Sequence, residues 1–330
     1  MPYTLAGELS EGISAFPRQT EPFLESECRL WLDLVYAAEP AHRVQTLDIR
    51  APLRRSALTS VENTRMAPQG SAPASAHATT PTRVLAPPHA PDYEAPHPAI
   101  IWIHGGRWMR GSGKRFSPGL EKGGLPASFL RAGLAVITPE VRHLAESPIQ
   151  DQVKDTQATI RYIRANADRY DIDPHRIVIA GYSSGGHLAA LAAMLSVEDL
   201  GGVSGEYADT SAAVSAVVDW YGPTDLTQLR SMTPADDPLS PYTHFGPDSW
   251  DDTALSPLHW VKRGLPPFFI AHGSDDLVVP PVQSRLLRDR LQAHGVPVTH
   301  IERPGGHDFS NSESVPGVIT ATLDFLRTVL

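Results

Sequence analysis

From Pro98 onward the chain alternates short apolar runs with longer segments whose apolar residues recur at helical spacing. The runs at 100–103, 134–138, 177–180, 214–219, 268–272 and 298–301 are too short for helices and too continuous for half-exposed strands. They read as strands buried on both faces, which is the pattern of a parallel sheet. Between them, 149–170 carries Val153, Ile160, Ile163 and Ala167 on one helical face, 116–131 reads as partly helical, and helices are expected over 282–293 and 316–330. A β-α-β-α rhythm of this kind folds into a mostly parallel central sheet covered by helices on both faces. The fold class is therefore α/β.

One junction in that rhythm is sharper than the others. The run Ile177-Val178-Ile179-Ala180 passes through Gly181-Tyr182-Ser183-Ser184-Gly185 directly into a segment with Leu188, Leu191 and Leu195 at helical spacing. A strand that becomes a helix within so few residues must strain the backbone at the apex. Glycines two positions either side remove the Cβ atoms that would clash there. The apex is Ser183, whose Oγ such a G-x-S-x-G turn lifts above the sheet while the next backbone N–H points the same way.

The remainder constrains the chain less. Residues 1–43 read as an N-terminal extension, with a helix expected over 21–38 that either packs on the main body or forms part of a cap. A strand is expected over 44–50, a Pro/Ala-rich surface loop around 67–81, and a strand at 82–85 that closes an antiparallel hairpin. Residues 44–330 then form one domain. Charged residues make up 20% and hydrophobic ones 41%, enough for a sizeable core. A net charge of −9 argues against a nucleic-acid partner and supplies no basic stripe for a membrane surface. Cys28 is the only cysteine, so neither an intrachain disulfide nor a cysteine-based metal site is expected. With no long apolar segment, the expectation is a soluble, cytoplasmic protein.

A serine hydroxyl is a poor nucleophile near neutral pH and needs an imidazole beside it, itself oriented by a carboxylate. Loops at the carboxyl ends of parallel strands can supply both. The strand at 268–272 runs into Gly273-Ser274-Asp275-Asp276, and that at 298–301 into Pro304-Gly305-Gly306-His307. Position alone leaves Asp275 and Asp276 as rivals. An aspartate there also suits a helix cap, and His307 also suits an exposed loop. The histidines at 272, 294, 300 and 307 show no metal-ligand spacing. Upstream, His104-Gly105-Gly106 follows the first buried strand, and a Gly-Gly turn leaves backbone N–H groups able to approach a developing oxyanion.

From about Pro98 to Leu330 the chain resembles the α/β-hydrolase superfamily, and within it the hormone-sensitive-lipase-like carboxylesterases and the related bacterial feruloyl/acetyl esterases. The segments that carry the resemblance are HGGRW at 104–108, DIDPHRIVIAGYSSGGHLAA at 171–190, VDWYGPTDL at 218–226, SPLHW at 256–260, HGSDDLVVP at 272–280 and PGGHDF at 304–309. The resemblance implies Ser183 as nucleophile, Asp276 as acid and His307 as base. It also implies an oxyanion hole around Gly105 and Gly106 completed by Ser184. Arg107 stands where many relatives have a third glycine. The implied activity is cofactor-independent hydrolysis of carboxylic esters through an acyl-enzyme, with a small-molecule ester as partner and no metal. An amidase, arylformamidase or peptidase on the same residues is the alternative, and a non-catalytic binding protein on this fold the reading from another class. Self-association into a homo-oligomer is left open. Substrate pockets are expected from residues 1–43, 108–116 and 226–255, the last with Tyr242, Phe245 and Trp250.

Overall fold

The computed structural model describes residues 23–24, 28–37, 44–52, 95–233, 237, 240, 251–310 and 312–330. The loop expected at 67–81, the strand at 82–85 and the aromatic residues at 242, 245 and 250 lie outside the described residues. In chain order the elements are β1 Phe23–Leu24, β2 Cys28–Ala37, β3 Gln45–Pro52, β4 His97–Ile103, α1 Pro118–Gly123, α2 Ala127–Arg131, β5 Ala135–Pro139 and α3 Ile149–Ala165. They continue with β6 Ile172–Tyr182, α4 Ser184–Met194, β7 Ala216–Trp220, α5 Leu226–Met232, β8 Phe268–Gly273, α6 Val282–Ala293, β9 Val298–Arg303 and α7 Val315–Val329.

The described strands form one nine-stranded sheet in the order β1-β2-β3-β5-β4-β6-β7-β8-β9. From β5 across to β9 every pairing is parallel, whereas β1, β2 and β3 join antiparallel. Successive side chains of a strand face opposite sides, so each apolar run feeds two cores. Ile101, Ile179, Val217 and Ile270 pack with Val153, Leu188 and Leu287 of α3, α4 and α6. Ile100, Trp102, Val178, Val218 and Phe269 pack with Leu120, Phe129 and Val318 of α1, α2 and α7. Trp102 meets Trp220 edge to face at 5.0 Å between ring centroids, which ties β4 to β7 across β6.

The N-terminal stretch departs from expectation. Residues 28–37 are a strand and not part of a helix, paired antiparallel with β3. The physical reason is a β-bulge. Trp31 pairs with Ile49 and Leu34 with Leu47, so three steps on β2 oppose two on β3. The extra residue lets Trp31 and Leu34, three apart, both face the core, and that spacing imitates a helix. Asp33 takes the bulge's positive φ of 52° while its N–H donates to Asp48 Oδ1 at 3.0 Å. The single helix expected over 149–170 is also divided. Asn166 donates from both backbone and side chain to the carbonyl of Tyr162, at 3.1 and 2.8 Å, ending α3 before a short 3₁₀ turn at Ala167–Tyr170.

Candidate active site

Ser183 occupies the junction of β6 and α4 with φ 55° and ψ −129°, a conformation that L-residues rarely adopt. Neighbouring chains hold it there. Its N–H donates to the carbonyl of Trp220 at 2.9 Å, and its own carbonyl accepts from His187 N–H at 3.2 Å. The flanking glycines are required by close approach. A Cβ on Gly181 would strike the carbonyl of Gly185, and one on Gly185 would strike the carbonyls of Ile103 and His104. Gly186 lies against the carboxylate of Asp219. The turn therefore sits wedged between the ends of β4 and β7.

Two loops bring polar side chains to it. Ser183 Oγ–H donates to His307 Nε2 at 2.9 Å. His307 Nδ1–H donates to Asp276 Oδ2 at 2.7 Å. The other carboxylate oxygen, Oδ1, accepts from the N–H groups of Val278 and Val279 at 2.8 and 2.9 Å. Burial alone would push Asp276 up. The hydrogen bonds from His272 and His307 outweigh it and hold the carboxyl well below the usual range, so it is ionised at neutral pH. Asp275 is exposed and accepts instead from Ser274 Oγ–H and Gly305 N–H, at 3.1 and 3.3 Å. Of the two adjacent aspartates, only Asp276 reaches His307.

Three further residues, not singled out from the sequence for this, surround that array. His272 is wholly buried behind Asp276. Its Nε2–H donates to Val279 O at 2.8 Å and lies 3.3 Å from Asp276 Oδ2, while Nδ1 accepts from Ser284 Oγ–H at 2.5 Å. The Tyr221 ring packs on the His307 imidazole at 4.9 Å between centroids. Tyr221 O–H donates to Asp308 Oδ1 at 2.6 Å, fixing the turn that presents His307. The histidine of the HG-x-x-D segment and the tyrosine of WYGPTDL were both visible as motif letters. Nothing in their spacing says what they touch.

The loop after β4 carries Gly105 and Gly106. Gly105 lies so close that a Cβ there would sit 2.8 Å from the Tyr182 ring and 3.0 Å from Ser183 Cβ. Burial pushes Tyr182 up to about 12, Asp308 adds to this, and backbone hydrogen bonds from Gly105 and Ser117 partly offset it. Arg107 pairs with Asp237 at 3.1 Å. Ser184, the first residue of α4, has an N–H with no partner inside the helix. Between these elements opens a cavity of about 150 Å³, lined by Arg107, Trp108, Ser183, Ser184, Leu229 and Val279 among others. Met232, Leu277 and Val278 line it too, and they are the large apolar side chains most exposed among the described residues.

The BD-FAE family model matches residues 88–291. The chain belongs to the BD-FAE family. The matched span includes Gly105, Gly106, Ser183 and Asp276 and stops short of His307. Among relatives, the esterase LipQ of Mycobacterium tuberculosis is 30% identical over 241 residues, covering 70% of this chain and 55% of LipQ. The probable carboxylic ester hydrolase LipM of the same organism is 31% identical over 216 residues, covering 63% and 48%. The chain thus spans about half the length of the curated relatives it matches. Among solved structures, a truncated carbohydrate esterase from gut microbiota superposes with a TM-score of 0.69 at 27% identity, over 93% of this chain and 98% of that one. Propionate-bound esterase Est2 of Thermogutta terrifontis superposes at 0.64 over 91% and 94%, and at 21% identity speaks for the fold alone. The BD-FAE chain accordingly has the α/β-hydrolase fold, a mostly parallel sheet flanked by helices. No helix among its described residues is long and apolar enough to cross a membrane.

Proposed function

We propose that this protein is a serine hydrolase that cleaves carboxylic esters through an acyl-enzyme, with Ser183 as nucleophile, His307 as base and Asp276 as acid. The observation that carries this reading is the unbroken hydrogen-bond chain from Ser183 through His307 to Asp276, at 2.9 and 2.7 Å, opening onto the cavity. Ser183 Oγ attacks the substrate carbonyl carbon as His307 Nε2 takes its proton, and the ionised Asp276 stabilises the imidazolium. The oxyanion is received by N–H groups of the Gly105–Gly106 turn and of Ser184, each such donor being worth roughly 3–4 kcal/mol in the transition state. The tetrahedral intermediate collapses by breaking the ester C–O bond. The alcohol leaves with the proton from His307. Water, deprotonated by the same imidazole, then attacks the acyl carbon, and expulsion of Ser183 Oγ releases the acid.

The relatives, two esterases and a probable carboxylic ester hydrolase, favour an ester over an amide. The apolar rim of Met232, Leu277 and Val278 suits an ester with an apolar group near the entrance. A fluorophosphonate probe followed by peptide mapping tests the reading. It should label Ser183 stoichiometrically and abolish hydrolysis of p-nitrophenyl acetate; labelling at Ser184, or full activity after labelling, would contradict it.

A further inference from the structure

The loop that follows β4 is strained over three consecutive residues. Gly106, Arg107 and Trp108 have φ of 133°, 58° and 60°. Glycine adopts such values freely, but a left-handed arginine followed by a left-handed tryptophan persists only where the surroundings over-determine it. The restraints are specific. The carbonyl of Gly106 accepts from the N–H groups of Met109 and Arg110 at 3.2 and 3.1 Å. That of Trp108 accepts from Leu144 N–H and Gln152 Nε2 at 2.9 and 3.2 Å. The indole Nε1–H donates to His187 Nδ1 at 3.1 Å.

His187 belongs to the first turn of α4, where its N–H also donates to the carbonyl of Ser183. The side chain is wholly buried and both ring nitrogens are committed. Its Nε2 lies 2.7 Å from the carbonyl of Leu255, which can only accept, so Nε2 carries the proton and Nδ1 is the bare acceptor that the indole needs. Burial lowers the imidazole to about 4, in keeping with a neutral ring. The rings meet edge to face at 5.1 Å between centroids and 82° between planes. One side chain therefore joins the loop of Gly105 and Gly106, the turn of Ser183 and Ser184, and the segment at Leu255.

We infer that His187 is a positioning residue which, through Trp108, holds the Gly105–Gly106 loop in register with the first turn of α4, so that backbone N–H groups from the two segments converge beside Ser183 Oγ. This rests on the hydrolase reading above. A histidine that only filled space would need neither bond, and an apolar side chain of similar volume would serve. Donors that act on the oxyanion act in the transition state, so loosening their alignment lowers kcat and spares KM.

The experiment compares His187→Ala, His187→Asn, Trp108→Phe and the His187→Ala/Trp108→Phe double variant with p-nitrophenyl acetate. Asparagine keeps an acceptor near the position of Nδ1, and phenylalanine keeps the ring but loses the donor. His187→Ala and Trp108→Phe should each lower kcat about tenfold or more, short of the roughly 10²–10³ that deletion of an oxyanion donor costs. KM should move less than about twofold, and His187→Asn should regain at least about threefold of the loss in kcat. Affinity for a trifluoromethyl ketone should fall in parallel with kcat/KM, and the double variant should be no worse than the worse single one. Retained kcat within about threefold, a loss confined to KM, or losses that multiply in the double variant would overturn the inference. If His187→Ala does not fold, Trp108→Phe decides by the same kcat and ketone criteria. Failure of the underlying reading is separately visible, because wild-type Ser183 would then resist the fluorophosphonate.

Discussion

Asp276 shows how one side chain is selected over an equivalent neighbour. It is 2% exposed, accepts two backbone N–H bonds through Oδ1, and offers Oδ2 to His307 with His272 behind it. Those contacts both orient the carboxylate and keep it ionised, as the role proposed for it, steadying an imidazolium, requires. Asp275 has the same chemistry one residue earlier, but its side chain is turned outward onto the turn at Gly305. Asp276→Asn should therefore lower kcat by about 10⁴, since the amide favours the wrong imidazole tautomer. Asp275→Asn should change it less than about tenfold. Steady-state kinetics on both variants, with folding followed by circular dichroism, checks this; a reversed order would move the acid to Asp275. From the sequence these two aspartates are equals, separated only by resemblance to a motif. What distinguishes them is the direction of a side chain, which depends on contacts thirty or so residues away along the chain. The buried partners His187 and His272 were hidden for the same reason, because a hydrogen bond across the fold leaves no periodicity behind.

At the scale of elements, local signals were the legible ones. The apolar run of β6, the glycines around Ser183 and the alanine-rich start of α4 all concern neighbours in sequence, and strand, turn and helix form where those residues predict them. Strand β2 reads as a helix in the sequence because its bulge puts Trp31 and Leu34 on one face, which period-two reasoning does not anticipate. The β6–α4 junction makes its own prediction. Gly185 packs so closely that a methyl group would meet the carbonyls of Ile103 and His104 at the end of β4. Gly185→Ala must push α4 away from β4, costing on the order of 2 kcal/mol in stability. The same shift moves Ser184 away from Gly105, so kcat should fall at least about a hundredfold if both supply donors. Chemical denaturation and kinetics on the one variant test both effects. Normal stability and activity would mean that the junction tolerates a side chain the packing forbids.

For the molecule as a whole, two fully buried groups beneath the site titrate in opposite senses. His187 is lowered to about 4 by burial, against a backbone hydrogen bond to Leu255 that raises it. The unfolded chain therefore binds the proton first as the medium is acidified, and stability is lost as pH falls from about 6.5 towards 4. Asp219 is pushed up to about 6 by burial, against the opposing influence of His272 and Gly222 N–H. Here the folded protein holds the proton more tightly, so stability is lost as pH rises from about 4 to 6. The two slopes offset one another in the wild type and should separate on substitution. Relative to wild type, His187→Asn should gain on the order of 3 kcal/mol between pH 7 and pH 4, and Asp219→Asn should lose a similar amount over the same interval. Urea denaturation at the two pH values reads this directly, and parallel curves for all three proteins would contradict it. Both groups lie against the turn that holds Ser183, on which the whole account rests. The most direct measurement is therefore the hydrolysis of p-nitrophenyl acetate by Ser183→Ala, with folding verified by circular dichroism and thermal melting. The expected result is a folded protein whose kcat/KM has dropped by about a thousandfold or more; a folded variant that keeps a tenth of the wild-type rate would contradict the assignment of Ser183 as nucleophile.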